Sequence, residues 1–600
     1  MKSRYTLWSL LFVLASNRAV AQNFNELDLN NVRARFYSHG LVGHDLSNSS
    51  AACEVPNGSG ANALFSAGLW IAGQSSDNQT KLAAMMYEAS GAGDYYPGPL
   101  TTDGFASTTV DVMAQYDHVW SATSAQVALH TAYFSCLSDP DCDLANEFPN
   151  GYTIPLSFFD WPALDPNAGY ETYLAPFFDF NADGAYDPGV GDAPCILGDQ
   201  ALFFVFNDKG GPHYLSGSQP IGIEVQTMPF AYASGDPFLE ETVFVHYHLI
   251  NRGTQTLTNT MIGIFNDFDL GCGEDDFVGT DATRNLTYAY NADDLDEDCL
   301  GAIGYGTQPP AFGMVVLKGP LLDYNAADDV VSDLLPAWNG TAFADGTIDN
   351  EKHGLSATMH INRDGPSCCN DPGIAAHFSN YLNGIWKDGT PQTYSGTGYS
   401  TDPNAVPAAF TYPADSDPVG AGTDGLVQSP WSETTIGNPD RRTVSSMGPI
   451  TLEPGQHIDL LFAYVYARAA SGGPLASVAA LQARVDSIRA FANGLPLWNT
   501  PVEVFQGDCE GISTTGVEEA RFTAGLSLFP IPASETVRFQ APSTLLGATL
   551  FLHDATGRIV LSQRMVSGLN EIDITSLANG GYTCAVTSAK ARYTGGLIKE

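Results

Sequence analysis

A run of β-branched and aromatic residues lies in the middle of the chain, at Thr242-Val-Phe-Val-His-Tyr-His-Leu-Ile250. The turn sequence Asn251-Arg-Gly253 separates it from a second such run, Leu257 to Phe265. Residues of these types favour extended strands, and two strands joined by a short turn favour a β-hairpin. The pair therefore predicts antiparallel sheet as a main element of the fold, with a hairpin at this point.

Other segments also predict a mainly β fold. Ala201 to Phe206 is a continuous apolar run, which suits a strand covered on both faces, and Ile458 to Ala467 predicts a further strand. One helix, ending at Gly494, is predicted from apolar residues at helical spacing, which are Val478, Leu481, Val485, Ile488 and Phe491. We therefore expect a multidomain β-sandwich body with one helix near its C-terminal end.

The N-terminal residues have the pattern of a secretory signal peptide. Lys2 and Arg4 precede an apolar stretch, Tyr5 to Ala15, that is shorter than the roughly 20 residues needed to cross a bilayer. Ala19-Val-Ala21 then provides a small-residue cleavage site. We expect residues 1–21 to be removed, and the rest to pass through the periplasm as a protein that is not integral to a membrane.

The charge of the chain excludes several partners. Its 600 residues include 67 acidic and 25 basic ones, for a formal net charge of -42. Such a negative field repels the phosphates of nucleic acids and anionic lipid surfaces. A hydrophobic content of 44% is too high for a disordered acidic chain. The composition therefore predicts a folded acidic protein with no nucleic-acid partner.

The ten cysteines would meet an oxidising environment after export. Cys136 and Cys142 bracket a turn-forming Leu-Ser-Asp-Pro-Asp sequence, and Cys272 and Cys299 flank an acidic segment. We expect these two pairs as disulfides, while the spacing leaves the remaining connectivity open. Cys584 stands alone in the last 75 residues and is expected to pack as a small unpaired hydrophobe.

The pattern changes near the C-terminal end of the chain. Residues 506–525 are rich in Gly, Ser, Thr and Glu and predict a linker, whereas residues 526–600 carry several short strand signals typical of a small sandwich. The motifs within this last segment are Phe529-Pro-Ile-Pro-Ala-Ser534, Asp554-Ala-Thr-Gly-Arg-Ile-Val560, Gly568-Leu-Asn570, Ile572-Asp573, Leu577-Ala-Asn-Gly-Gly-Tyr582 and Lys599.

In their order and spacing these motifs resemble the type A C-terminal sorting domain of type IX (Por) secretion, a system of the Bacteroidota. Ile531 stands where the family usually has Asn, and Cys584 where an aliphatic residue is more common. The resemblance implies an Ig-like sandwich that the type IX secretion machinery recognises and usually cleaves off. It also implies that the protein is secreted or held at the outer-membrane cell surface.

The body, residues 22–505, is similar to long secreted proteins that bear the same sorting domain, and a boundary near residue 175 is an option within it. This resemblance implies location and β architecture but no chemistry. It rests on the segments Cys53 to Gly60, Leu69 to Gly73, Tyr96 to Leu100, Gly198 to Gln200, Phe206 to Asp208 and Gly448 to Leu452.

A calcium site is predicted between residues 179 and 192, where oxygen-bearing side chains alternate and a glycine follows at position 184. Ca²⁺ takes six to eight hard oxygen ligands, and this alternation matches the first half of an EF-hand-like loop. Val190 replaces the Glu that closes such loops. The predicted ligands are Asp179, Asn181, Asp183, the carbonyl of Ala185, Asp187 and Asp192. An Asx-rich surface turn is the alternative.

A second acidic group follows the strand that ends near residue 267. Its predicted calcium ligands are Asp267, Asp269, Asp275 and Asp276. Strand side chains have a period of two, so Asp267 and Asp269 should point to the same side. Carboxylates at this density repel one another unless a cation joins them, and a solvated loop without metal is the equal alternative.

His246 and His248 should lie on one strand face, as in His-x-His metal sites. No third ligand is close in sequence, so we interpret them as histidines of a polar sheet face. The motifs of zinc peptidases, serine hydrolases and P-loop proteins are missing. We therefore expect a calcium-stabilised body with a binding or structural role and an extracellular ligand. The alternative is a secreted hydrolase, a glycosidase or a peptidase, whose carboxylate or metal site is dispersed along the chain.

Overall fold

The apolar and β-branched runs form strands in the computed structural model, which describes residues 24–88, 91, 93–363, 365–434, 440–493, 523–525, 528–540, 549–553, 559–564, 569–575, 577–588 and 591–599. The chain divides into two compact units, Met1–Thr514 and Thr515–Glu600. The predicted signal peptide lies outside the described residues. So does the predicted linker, except for its last three residues, which form a strand.

The strands of the first unit are β1 Phe24–Leu27, β2 Arg33–Tyr37, β3 His44–Asp45, β4 Ser50–Ala51, β5 Cys53–Glu54, β6 Ser66–Gln74, β7 Thr80–Ala84, β8 Tyr96–Pro97, β9 Trp120–Thr123, β10 Phe177–Phe178, β11 Ala193–Pro194, β12 Gln200–Asn207, β13 Ile223–Ala231, β14 Thr242–Asn251, β15 Leu257–Asp267, β16 Asp276–Asp281, β17 Leu286–Asn291, β18 Leu295–Asp296, β19 Gly306–Thr307, β20 Ala311–Lys318, β21 Ala357–Asn362, β22 Arg441–Leu452 and β23 His457–Ala467. Its helices are α1 Val110–Tyr116, α2 Ser124–Ser138, α3 Leu144–Glu147, α4 Leu156–Phe159, α5 Pro237–Glu240, α6 Ala375–Leu382 and α7 Gly473–Asn493, with 3-10 turns at Pro188–Val190 and Ala421–Thr423.

Two antiparallel sheets form the centre of the first unit. The larger has nine strands in the order β16-β17-β20-β23-β14-β13-β12-β8, with β9 also paired to β12. The second has five strands in the order β21-β22-β15-β6-β7. One apolar core contains alternate residues of β14, such as Val245 and Tyr247, and residues of β15, such as Ile262 and Ile264. The two sheets therefore pack face to face, which confirms the predicted mainly β class and sandwich body.

Helices cover the outer faces of both sheets. The predicted helix is α7, which packs against β17, β20 and β23. Helix α6 lies on the five-stranded sheet, where the Phe378 ring meets Trp70 edge-on at 4.7 Å. Helix α2 was not predicted, although Thr123 and Gln126 form a capping box at its start. Strands buried on both faces need such cover, because an uncovered apolar face would remain in water.

The predicted hairpin is wrong. β14 pairs with β13 and β23 in the larger sheet, whereas β15 pairs with β6 and β22 in the other. The connection between them bonds to other loops instead: the Asn251 amide donates to the carbonyl of Gln456 at 3.1 Å, and the Arg252 amide to that of Gly222 at 2.9 Å. Both strands are buried on both faces over most of their length. Each therefore buries more apolar surface in a central position of its own sheet than it would in a hairpin with its neighbour in sequence.

The second unit contains two small sheets. Its strands are β24 Thr523–Gly525, β25 Leu528–Phe529, β26 Thr536–Gln540, β27 Thr549–His553, β28 Ile559–Arg564, β29 Leu569–Asp573, β30 Gly580–Ser588 and β31 Ala591–Lys599. The sheet orders are β24-β31-β30-β27-β28 and β25-β26-β29. Side chains from both, including Val537, Leu550 and Ile572, form one core. Cys584 is a buried free thiol in that core, and burial raises its pKa to about 12.

Disulfides join Cys136 to Cys142 and Cys272 to Cys299, the two pairs expected from spacing. A further disulfide joins the adjacent residues Cys368 and Cys369.

A buried histidine of the five-stranded sheet should make stability depend on pH. His360 on β21 is bonded to the Thr411 hydroxyl at 2.7 Å and stacks on Tyr412, and burial, followed by the charge of Arg441, lowers its pKa to about 3. As the pH falls from 6.5 towards 3, the unfolded chain gains a proton that the folded chain does not. We therefore expect the free energy of unfolding to fall in this window, by at most about 1.4 kcal/mol per pH unit for this residue.

Denaturant titrations at pH 4, 5, 6 and 7 measure this slope. The variant His360→Gln should show a shallower slope than the wild type. The matched change at the half-buried His377, on α6, should alter it less, because that imidazole keeps more contact with water. Equal slopes for His360→Gln and the wild type would exclude this contribution.

Candidate metal centre

The pairing of β15 with β22 brings distant carboxylates together. Asp267, the last residue of β15, lies opposite Arg442 of β22. Continuing this antiparallel register by two residues places Asp269 opposite Asp440. A carboxylate oxygen from each of Asp267, Asp269 and Asp440 lies within 4.8 Å of the others. We call these three residues the strand-end cluster.

Asp267 is the most deeply buried member of the strand-end cluster, with 2% of its surface exposed. The Tyr87 hydroxyl donates a hydrogen bond to its Oδ2 at 2.7 Å. Its Oδ1 accepts no hydrogen bond within the described part of the chain, and the nearby Arg442 Nε is 3.5 Å away. Burial raises the pKa of Asp267 to about 7, while the Arg442 guanidinium opposes this shift.

Two arginines contact the strand-end cluster. Arg442 is buried; its Nε donates to the Tyr87 hydroxyl at 2.6 Å and its Nη2 to Asp440 Oδ2 at 3.3 Å. Arg363 also donates to Asp440 Oδ2, at 2.9 Å. Asp440 Oδ1 accepts no hydrogen bond in the described ranges, although Arg442 Nη2 lies 3.2 Å from it. Asp440 is therefore paired on one oxygen.

Asp269 is the member of the strand-end cluster whose carboxylate has the fewest hydrogen-bond donors. Burial raises the pKa of Asp269 well above its usual range, and the like charges of Asp267 and Asp440 add to the shift. No donor among the described residues makes a hydrogen bond to its carboxylate. A Cβ at Gly273 would lie 2.3 Å from Asp269 Oδ1, so a larger residue there would displace the carboxylate from its present position.

The other two residues predicted for this site lie outside the strand-end cluster. The Asp276 Oδ2 accepts the Leu270 amide at 2.8 Å, and burial raises the pKa of Asp276 well above its usual range. Asp275 lies beside Asn291. Asp440, which replaces them, is far away in sequence, and only the β15–β22 register identifies it.

In the predicted calcium loop the side-chain oxygens accept backbone amides. Asp179 accepts from Asp183 at 3.2 Å and from Gly184 at 2.8 Å. Asp192 accepts from Phe180 at 2.8 Å and from Asp187 at 2.7 Å. Burial raises the pKa of Asp192, to which the charges of Asp179 and Asp183 contribute.

The rest of the loop follows the same pattern. Asn181 Oδ1 accepts the Asp183 amide at 3.1 Å, the Ala185 amide donates to Asp183 Oδ1 at 2.8 Å, and Asp187 Oδ1 accepts the Gly189 amide at 2.7 Å. These bonds orient the loop without an ion, and among the described residues no three of its carboxylates come as close together as those of the strand-end cluster. Calcium binding at this loop stays a prediction.

The two histidines of β14 have partners that the sequence did not reveal. Asp459 Oδ1 on β23 lies 2.9 Å from His246 Nε2 and 3.0 Å from His248 Nδ1, and His457 Nδ1 lies 2.9 Å from His248 Nε2. Burial lowers the pKa of His246. Burial alone would raise the pKa of Asp459, but the hydrogen bonds from the two imidazoles hold it well below its usual range. Both histidines of β14 therefore have hydrogen-bond partners on β23.

A comparison with protein families identifies the second unit. Residues 527–600 match the family described as secretion system C-terminal sorting domain. This confirms the resemblance noted from the motifs: the chain ends in a type IX sorting domain, which marks it for secretion or cell-surface export. None of the helices in the described ranges combines the length and apolar character needed to span a bilayer.

A solved structure of a polysaccharide lyase aligns with 67% of this chain and 35% of its own length, at 7% identity and a TM-score of 0.18. The chain thus spans about a third of that protein. No curated protein matches the chain.

The Tyr87 hydroxyl links Asp267 to Arg442, so we expect Tyr87→Phe to lower the free energy of unfolding by about 1–3 kcal/mol, the cost of leaving buried polar groups unpaired. Tyr95→Phe is the matched control, since the Tyr95 hydroxyl is buried but lies 3.4 Å from its acceptor, the carbonyl of Ala83. Denaturant unfolding of both variants tests this. An equal loss in the two would contradict the bridging role of Tyr87.

Proposed function

We propose that this cargo of type IX secretion has a body with a binding or structural role at the cell surface or in the medium, and that Ca²⁺ stabilises this body. The sorting domain at residues 527–600 is the observation that supports export. A protein delivered outside the cell meets Ca²⁺ concentrations at which even weak sites, with dissociation constants of about 10⁻⁴ to 10⁻³ M, are occupied.

The architecture supports a binding or structural role for the body. Its two large sheets bury both faces of their central strands, so a ligand would contact loops and strand ends. The motifs of common hydrolases are missing from the sequence. We infer that the ligand of the body is extracellular.

The acidic character of the chain supports the calcium proposal. A net charge of -42 raises the local concentration of cations around the protein. The loop from Asp179 to Asp192 supplies alternating oxygen ligands, and its carboxylates are already oriented by backbone amides. An ion bound only by the folded chain stabilises it by mass action.

Deleting residues 526–600 should leave the body in the periplasm of a bacterium that has type IX secretion, because the sorting domain is what the machinery recognises. Fractionation into periplasm, outer membrane and medium measures the location. The control is Ile531→Asn, which puts the usual family residue at an exposed position and should leave export unchanged. Surface delivery of the truncated chain would contradict the proposal.

Chelation of Ca²⁺ should lower the melting temperature of the full-length chain. The double variant Asp179→Ala and Asp183→Ala should reduce the calcium-dependent rise, because it removes two loop ligands. The control carries the same charge change in another exposed Asx turn, Asp139→Ala and Asp141→Ala, and should keep the full rise. A full rise in the first variant would exclude the loop as a calcium site. Differential scanning calorimetry in EGTA and in millimolar Ca²⁺ makes the comparison.

A further inference from the structure

The charges around the strand-end cluster do not balance. Asp267, Asp269 and Asp440 interact with one another and with two further carboxylates, Asp276 and Asp371. The cations facing this group are Arg363, Lys387 and Arg442. Five carboxylates therefore face three cations, so all five can be ionised together only if a further cation joins them. Unpaired buried charge is costly, and a divalent cation carries the charge that is missing.

Unpaired oxygens point to the same conclusion independently of the charge count. The Asp267 side chain is 3% exposed, and its Oδ1 accepts no hydrogen bond from the described residues. Asp440 Oδ1 also accepts no hydrogen bond from the described residues, although it forms an ion pair with Arg442 Nη2. Buried carboxylate oxygens normally accept hydrogen bonds or bind a metal. The neighbouring arginine already donates to Tyr87 and to the other oxygen of Asp440, so each of these two oxygens is free to accept a further ligand.

The spacing of these oxygens suits calcium. Ca²⁺ binds oxygen at 2.3–2.6 Å, so two oxygens on one ion can be no more than about 5 Å apart. The three carboxylates of the strand-end cluster lie within 4.8 Å of one another. We propose that Asp267, Asp269 and Asp440 bind one Ca²⁺ ion, at a centre distinct from the loop of residues 179–192. The choice of ion rests on the extracellular location proposed above, whereas the site rests only on this geometry.

The donor set and the surroundings agree with this assignment. All three ligands are carboxylates, which favour hard cations over zinc or copper. Asp269 and Asp440 are only half-buried, so water can complete a coordination number of six to eight. The ion joins the loop that follows β15 to the start of β22, where the Asp440 amide already donates to the carbonyl of Gly273 at 3.3 Å. It therefore fastens the end of the five-stranded sheet.

The test uses the full-length chain and two variants, Asp269→Asn and Asp440→Asn. In EGTA we expect Asp269→Asn to melt at no lower a temperature than the wild type, because the described residues donate no hydrogen bond to the Asp269 carboxylate that the substitution could remove. In Ca²⁺ both variants should show a smaller calcium-dependent rise, and calorimetric titration with CaCl₂ should show one bound ion fewer, or an affinity weaker by about tenfold or more. If the Asp269 carboxylate instead stabilised the fold without a metal, Asp269→Asn would melt at a lower temperature than the wild type in EGTA.

Controls separate this centre from the loop and from export. Asp111→Asn removes one charge from the exposed first turn of α1 and should leave Ca²⁺ binding unchanged. The loop variant Asp179→Ala and Asp183→Ala should retain the ion at the strand-end cluster. Wild-type stoichiometry and affinity in both Asn variants would overturn the proposal. Stabilisation of the wild type by MgCl₂ but not by CaCl₂ would overturn the assignment to calcium, while neither outcome affects the sorting domain.

Discussion

Burial of both faces is the constraint on which the first unit depends. Strands β12, β13 and β14 are buried along their whole length, on one side by the facing sheet and on the other by helices and loops. Water cannot reach polar side chains there, so each such group needs a partner inside the protein. The same burial explains why β14 and β15, neighbours in sequence, occupy central positions in different sheets.

Two polar groups on these sheets meet this constraint in different ways. On the larger sheet, Asp459 accepts hydrogen bonds from His246 and His248, so this buried carboxylate has two donors on the neighbouring strand. At the end of β15, Tyr87 and Arg442 satisfy only part of the strand-end cluster. The carboxylate of the first arrangement is hydrogen-bonded by imidazoles, whereas the strand-end cluster keeps carboxylate oxygens that accept no hydrogen bond from the described residues.

The two units of the chain differ in what they contain. The second unit is a small sandwich whose family match defines its role in export. The first unit carries the buried carboxylates and the large sheets. Binding at the surface of the first unit depends on its loops and strand ends rather than on its architecture.

The sequence by itself determined the mainly β class, the helix α7, the disulfide pairs at Cys136 and Cys272, and the sorting domain, since each rests on local periodicity, spacing or motif. Only the tertiary structure decided which strands pair. The hairpin prediction failed for that reason, and Asp440 and Asp459 were missed because pairing across long separations brings them to their partners. Strand register depends on the burial of whole sheets, and no local pattern encodes it.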